Sequence, residues 1–300
     1  MAKTVSTPVE RAHTVEGGVT PRRRSTMGSR VGRVLIYVNL IVGAVVLMFP
    51  LYWLISASLK PLDEISAFPI IWVPSRLVWE NYVNLFQTVP IVTYLQNSLF
   101  VAATSMIGTT FSSSLVGYSF ARLRFPGRGV LFIMALSTLM VPSWVTLIPQ
   151  FIMFKTFGWL DSFSPLIVPQ LFAQPAALFL MRQFFLTLPI EIEDAAKIDG
   201  CGYFRIFWSI ALPLVKPAVI AISVFSFLYN WNDFLNPLIY LQSPEHFTLP
   251  LGLAALQSQY QTHFELIMGG SVIAALPCIL LFFVCQRWFI QGIVVTGVKG

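Results

Sequence analysis

Long runs of this chain contain no Asp, Glu, Lys or Arg: residues 34–59, 81–121, 129–154, 162–181, 217–232 and 266–286. A helix needs about 20 apolar residues to cross a bilayer. Inside hydrocarbon every backbone polar group must be satisfied internally, so runs of this kind fold as helices. The stretch 81–121 is long enough for one span plus an approach outside the membrane. The run 217–232 is short, but Lys216 can snorkel at one end and Asp233 can sit at the other interface. The expectation is an all-α integral membrane protein with spans at about 34–57, 96–120, 129–152, 163–184, 214–235 and 266–287, forming one transmembrane domain over 34–300. A chain that is 56% hydrophobic exceeds the usual soluble range of about 45–50%.

Orientation follows from the basic residues. With the amino terminus inside, the tail through Arg33 is cytoplasmic. So are Arg122, Arg124 and Arg128, then Arg182, Lys197, Arg205 and Lys216, then Arg287 and Lys299. Of 19 basic residues only Lys60, Arg76 and Lys155 fall outside. The bias places both termini in the cytoplasm of a multi-pass protein of the cytoplasmic (inner) membrane. Residues 1–33 carry most of the net charge of +6 and read as a disordered basic tail near anionic headgroups. The rest is nearly neutral, so no nucleic-acid partner is expected, and the basic balance points to the lipid surface.

Catalytic and metal chemistry find little support. The three cysteines and His13, His246 and His263 show no ligand spacing. No phosphate-cradling G-x-x-x-x-G-K-[ST] occurs, so the chain is expected to bind no ATP itself. No catalytic residue or metal ligand is assigned, and the chain reads as a non-enzyme. No span holds a central charged residue, which argues against a proton or sodium relay.

Within the second span, Gly108, Ser112 and Gly117 belong to a small-residue face that reads first as close helix packing. Prolines at 142, 149, 165, 169, 175, 217 and 277 free carbonyls and permit kinks. Asn230, Trp231 and Asn232, near the outer end of the fifth span, are candidate pathway residues; the alternative for the asparagines is helix–helix hydrogen bonding.

The informative polar element is the cytoplasmic loop 186–213. Pro189 starts a helix with Glu191, Glu193 and Asp194 in the first turn, where negative charge is favoured. Ala195 and Ala196 allow close approach by a partner surface, and Gly200 can end the helix in the left-handed region. Phe204, Phe207 and Trp208 follow on a second short amphipathic helix, which Leu212-Pro213 closes. A helix merely lying on lipid is the alternative.

The pattern Asp194-Ala195-Ala196-x-x-x-Gly200, then Ile210-x-Leu212-Pro213, resembles the EAA motif of ABC importer permeases. Phe184-Phe185, Ile198-Asp199-Gly200, Trp231-Asn232-Asp233-Phe234 and the ending Gly292 to Gly300 resemble the carbohydrate-uptake branch, in particular its maltose-type second permease subunit. Asp194 stands where the motif usually has Glu, with Glu193 just before it. The resemblance covers 34–300. It implies a type I importer permease fold that translocates a sugar or related solute. It also implies a second permease subunit, an ATP-binding subunit dimer that holds the nucleotide, and an extracytoplasmic solute-binding protein. Glu193, Asp194, Ala195, Ala196, Asp199, Gly200, Ile210, Leu212 and Pro213 then carry the ATPase coupling. The carboxyl-terminal residues 291–300 become a second contact, and the outer loop 236–265 a surface toward the binding protein. Alternatives are a permease for a non-sugar solute and an ion-coupled carrier.

Overall fold

The computed structural model describes residues 26–257 and 263–296, with side chains from residue 32 to residue 287. Most of the basic tail, the middle of the outer loop and the last four residues lie outside the described residues, and the side chains of 288–296 with them. By internal contact the chain forms two units, Met1–Leu51 and Tyr52–Gly300.

The first unit holds most of α1 (Thr26–Ser58), which begins eight residues before the expected end of the tail at Arg33. Its apolar surface from Val34 to Phe49 is exposed nearly throughout, as suits a lipid-facing helix.

In the second unit, α2 (Leu62–Ile65) and α3 (Glu80–Thr88) precede α4 (Ile91–Arg122). Next come α5 (Arg128–Ser137), α6 (Ser143–Thr156), α7 (Ser164–Ile167) and α8 (Pro175–Leu186). The loop helices are α9 (Ile190–Ile198), α10 (Tyr203–Ile206) and α11 (Leu212–Leu214). Then follow α12 (Lys216–Trp231), α13 (Leu235–Tyr240), α14 (Leu249–Ala254) and α15 (Phe264–Thr296). No strand occurs among the described residues. Four helical segments are long and apolar enough to cross a membrane: Gly32–Ser58, Ile91–Arg122, Ser164–Leu186 and Phe264–Arg287. The number becomes 6 if each of two bent helix pairs counts as one span.

The third expected span, 129–152, is not one straight helix. It consists of two arms, Arg128–Met140 and Ser143–Thr156, bent by 98°. Val141 takes the extended conformation that a following proline imposes, and Pro142 starts the second arm with no N–H to offer. The fifth span is shorter than expected, Lys216–Trp231, and meets the preceding helical arm at 82°.

Helix α4 is the central element. A Cβ on Gly108 would lie 2.5 Å from Leu171 Cδ2, and one on Gly117 would lie 2.8 Å from Met181 Cβ. Both glycines therefore let the backbone approach the fourth span, as the small-residue pattern requires. That span is interrupted between Leu171 and Pro175, where prolines 169 and 175 withhold amide donors. The neighbouring α4 supplies the missing partners. Thr109 Oγ1 donates to Gln170 O at 2.9 Å, and Ser113 Oγ accepts from Gln174 N at 3.1 Å. Thr110 and Ser223 hydroxyls meet at 3.1 Å between α4 and α12. Irregular backbone is tolerated in a membrane where a neighbouring helix satisfies it in this manner.

The coupling loop and the central cavity

Helix α9 turns one acidic side chain inward and its sequence neighbour outward. Glu193 is buried and forms an ion pair with Arg122, Nε to Oε1, at 3.0 Å. The side chains are 8% and 6% exposed. Tyr118 Oη donates to Glu193 Oε2 at 3.4 Å, a long contact. Arg122 also donates through Nη2 to Phe185 O at 2.7 Å and to Leu188 O, both carbonyls at the end of α8. One guanidinium thus joins the cytoplasmic end of α4, the end of α8 and the first turn of α9. Asp194 is exposed and pairs locally with Lys197 at 3.0 Å, which raises the Lys197 pKa.

Beneath α9 lies an apolar cluster that includes Tyr118, Phe185, Ala196, Ile206, Phe207 and Ala211. Cys201, Ile210 and Leu212 pack at its edge. Tyr118 meets Phe185 edge-on and tilts against Phe207, both at centroid distances of 5.4 Å. Such burial seats the loop firmly; truncating a buried Phe of this kind costs about 3–5 kcal/mol.

The end of α9 is closed by backbone geometry. Gly200 has φ +81°, Gly200 N donates to Lys197 O at 3.0 Å, and Cys201 N donates to Ala196 O at 2.9 Å. These are the two bonds of a Schellman turn. After α10 the chain widens into a π-helical turn, Phe207–Ala211. Pro213, which lacks an N–H and whose ring crowds the carbonyl four residues back, follows it directly.

Of the coupling candidates, Asp194, Ala195, Asp199, Gly200 and Pro213 are exposed. Glu193 and Ala196 are buried, and Ile210 and Leu212 are half-buried against the cluster. The outward face of the hairpin also exposes Ile198 at 87%, with Tyr203, Phe204 and Trp208 nearby in sequence. Sequence reasoning missed Arg122 and Tyr118 as members of this site. Arg122 counted only as an inside charge, although it is the first ionisable side chain after an uncharged run of 41 positions (81–121).

The pathway candidates lie elsewhere than expected. Trp231 is buried, stacks on Phe227 and donates Nε1–H to Ala274 O at 3.0 Å. Asn230 Nδ2 and Asn232 Nδ2 donate to carbonyls in the preceding turn of α12, Ser226 O and Leu228 O, both at 2.7 Å. A cavity of about 390 Å³ opens a turn further into the span, lined by Thr109, Gln170, Gln174, Phe225, Ser226 and Tyr229 among others. An uncompensated pair of Gln residues in a proline-broken apolar run was the signal for it.

On the outer side, Asp161 accepts from Gln242 N at 2.9 Å, Ser243 N at 2.8 Å, Ser243 Oγ, and His246 Nδ1 at 3.2 Å. Its own N–H donates to Tyr240 O at 2.8 Å. The Ser243 hydroxyl, then the two backbone amides, hold its carboxyl well below the usual range. Asp161 therefore clamps the start of the outer loop to the turn after α6.

A multi-helix membrane protein with a seated cytoplasmic hairpin and a central polar cavity is the architecture of a transport permease. Residues 110–295 match the family model for the binding-protein-dependent transport system inner membrane component. The chain is 37% identical over 260 residues to the arabinooligosaccharides transport system permease protein AraQ of Halalkalibacterium halodurans, across 86% of this chain and 93% of that protein. It is 39% identical over 256 residues to the AraQ protein of Bacillus subtilis, across 84% and 91%. It is 32% identical over 266 residues to the sn-glycerol-3-phosphate transport system permease protein UgpE of Yersinia enterocolitica, across 86% and 94%. Among solved structures, a bacterial ABC transporter involved in import of the acidic polysaccharide alginate aligns with TM-score 0.76 at 20% identity, covering 90% of this chain and 100% of that one. The chain belongs to the binding-protein-dependent transport permease family and is an inner-membrane subunit of an ABC importer.

Proposed function

We propose that this chain is one membrane half of an ATP-driven sugar importer, and that the α9–α10 hairpin receives the work of ATP hydrolysis from a separate subunit. The observation that carries this reading is the buried Arg122–Glu193 pair. It ties the hairpin to the inner end of α4, the helix that also lines the central cavity. A force applied to the exposed face around Asp194 and Ile198 would reach the cavity without passing through a flexible link. Names of relatives support the sugar class, since AraQ proteins serve arabinooligosaccharides. The chain has no nucleotide-binding loop of its own, so the nucleotide sits in the partner. The remaining members of the assembly are a second permease and an extracytoplasmic solute-binding protein.

The test is uptake of labelled arabinotriose and other neutral sugars by proteoliposomes carrying the full assembly. ATP-dependent uptake that disappears with a hydrolysis-dead ATPase is the expected result. Uptake that persists without the ATPase, driven by an ion gradient, would establish a carrier instead.

A further inference from the structure

The central cavity holds more polar capacity than the chain uses. Ser226 Oγ, Tyr229 Oη and the Gln170 carboxamide all line it, and none has a hydrogen-bond partner among the described residues. Thr109, which also lines it, lies near the middle of α4, so the cavity sits deep in the membrane rather than at its rim. At that depth an unsatisfied polar group costs free energy that water cannot refund, and polar side chains there mark a transported ligand. The two Gln residues project from the interruption between α7 and α8. Broken helices of this kind line solute sites near the bilayer midplane in transporters generally.

The lining also has a chemical sign. None of the ten lining residues is Asp, Glu, Lys or Arg, so a bound anion would have no counter-charge. Amide and hydroxyl groups beside the rings of Phe225 and Tyr229 match a solute that is hydroxylated at its edges and carbon-rich on its faces. The volume falls within the roughly 300–1,000 Å³ of small-ligand sites. We infer that Gln170, Ser226 and Tyr229 bind the transported solute in transit, and that this solute is a neutral sugar rather than a phosphate ester. This rests on the importer reading and adds to it a contact site within this subunit. One of the relatives serves sn-glycerol-3-phosphate, so the family name alone does not decide the charge.

The experiment uses the complete importer in proteoliposomes, offered labelled neutral sugars from mono- to trisaccharide and, separately, labelled sn-glycerol-3-phosphate. The parent is expected to carry a neutral sugar and not the phosphate ester. Gln170→Leu combined with Tyr229→Phe is expected to cut uptake at least tenfold, while co-purification of all subunits and binding-protein-stimulated ATP hydrolysis stay within twofold of the parent. Ser226→Leu, which fills the cavity, should behave likewise. Preferential uptake of sn-glycerol-3-phosphate, or normal uptake by the double variant, overturns the assignment while leaving the importer reading intact. So does loss of uptake together with loss of subunit assembly, which would make these groups partners of the second permease. Absence of ATP-dependent uptake in the parent would instead bring down the importer reading.

Discussion

Arg122 and Glu193 are 71 positions apart in sequence, yet their side chains meet at 3.0 Å with less than a tenth of either exposed. Removing one partner of such a pair leaves an uncompensated buried charge, which costs about 3–5 kcal/mol. Glu193→Ala is therefore expected to lower the melting temperature of the purified assembly and to release the hairpin, seen as faster proteolysis of the loop. Glu193→Gln removes the charge but keeps an acceptor, and should fall between Ala and parent. A Glu193→Ala assembly that melts with the parent would show that the pair holds nothing.

Asp194 makes the opposite case. It is exposed, and its contact with Lys197 is a surface pair of the kind worth about 0–1 kcal/mol at most. Asp194→Lys is expected to leave melting unchanged and to abolish ATP-dependent uptake by reversing charge on the face offered to the ATPase. The pair of variants separates the two roles: one acidic residue seats the loop, its neighbour meets the partner. Normal uptake by Asp194→Lys would move the docking face elsewhere on the hairpin.

The helical spans were legible because uncharged runs of sufficient length have few alternatives in a chain this apolar. The 98° bend at Pro142 was not. A proline says where a helix loses a bond, whereas the angle depends on what packs against both arms. In the loop, acid, alanine and glycine spacing located α9 and its end, but not which carboxylate faces inward. That choice is set by Arg122, which lies on another helix. For the pathway, Asn230, Trp231 and Asn232 drew notice as polar or amphipathic side chains near a span end. Rotation of α12 about its axis, fixed by its neighbours α4 and α15, puts Ser226 and Tyr229 on the cavity and turns Trp231 toward Ala274.

Gly200 is predicted to be sensitive to backbone and not to volume. A Cβ there would meet nothing within 4 Å, but φ is +81°. A β-branched residue pays roughly 1–2 kcal/mol in the left-handed region, while Asn adopts it more readily. Gly200→Val should reduce coupling of ATP hydrolysis to uptake, and Gly200→Asn should retain most of it. Equal losses in both would indicate a contact of the glycine itself with the ATPase.

The Asp161 clamp has a defined pH response. Its native pKa is depressed, so its stabilising contribution is complete above the unfolded value, about 3.9, and fades only as pH falls toward the native one. Cleavage of the outer loop by an added protease should therefore be as slow at pH 5 as at pH 7 in the parent, with rates normalised to an unfolded substrate. Asp161→Ala loses the acceptor for Gln242 N and Ser243 N and places a poor left-handed residue at φ 58°, so the loop should be cut faster at both pH values. Parent cleavage that accelerates between pH 7 and 5 would assign the response to His246 instead.

Gly117 tests whether α4 and α8 must move together. An added Cβ would lie 2.8 Å from Met181 Cβ and 3.1 Å from the backbone nitrogen of Arg182, so a rotamer change alone cannot relieve it. Overpacking of this kind costs about 1–3 kcal/mol. It would also push apart the two helix ends that Arg122 joins. Gly117→Ala is expected to weaken uptake moderately, and Gly117→Leu to abolish it with a fall in melting temperature. The diagnostic variant is Gly117→Ala paired with Met181→Ala. Most of the Cβ clash is with Met181, but the remainder is with backbone that the truncation leaves in place. Partial recovery of uptake, short of the single Met181→Ala value, is the outcome that backbone contact between these helices requires.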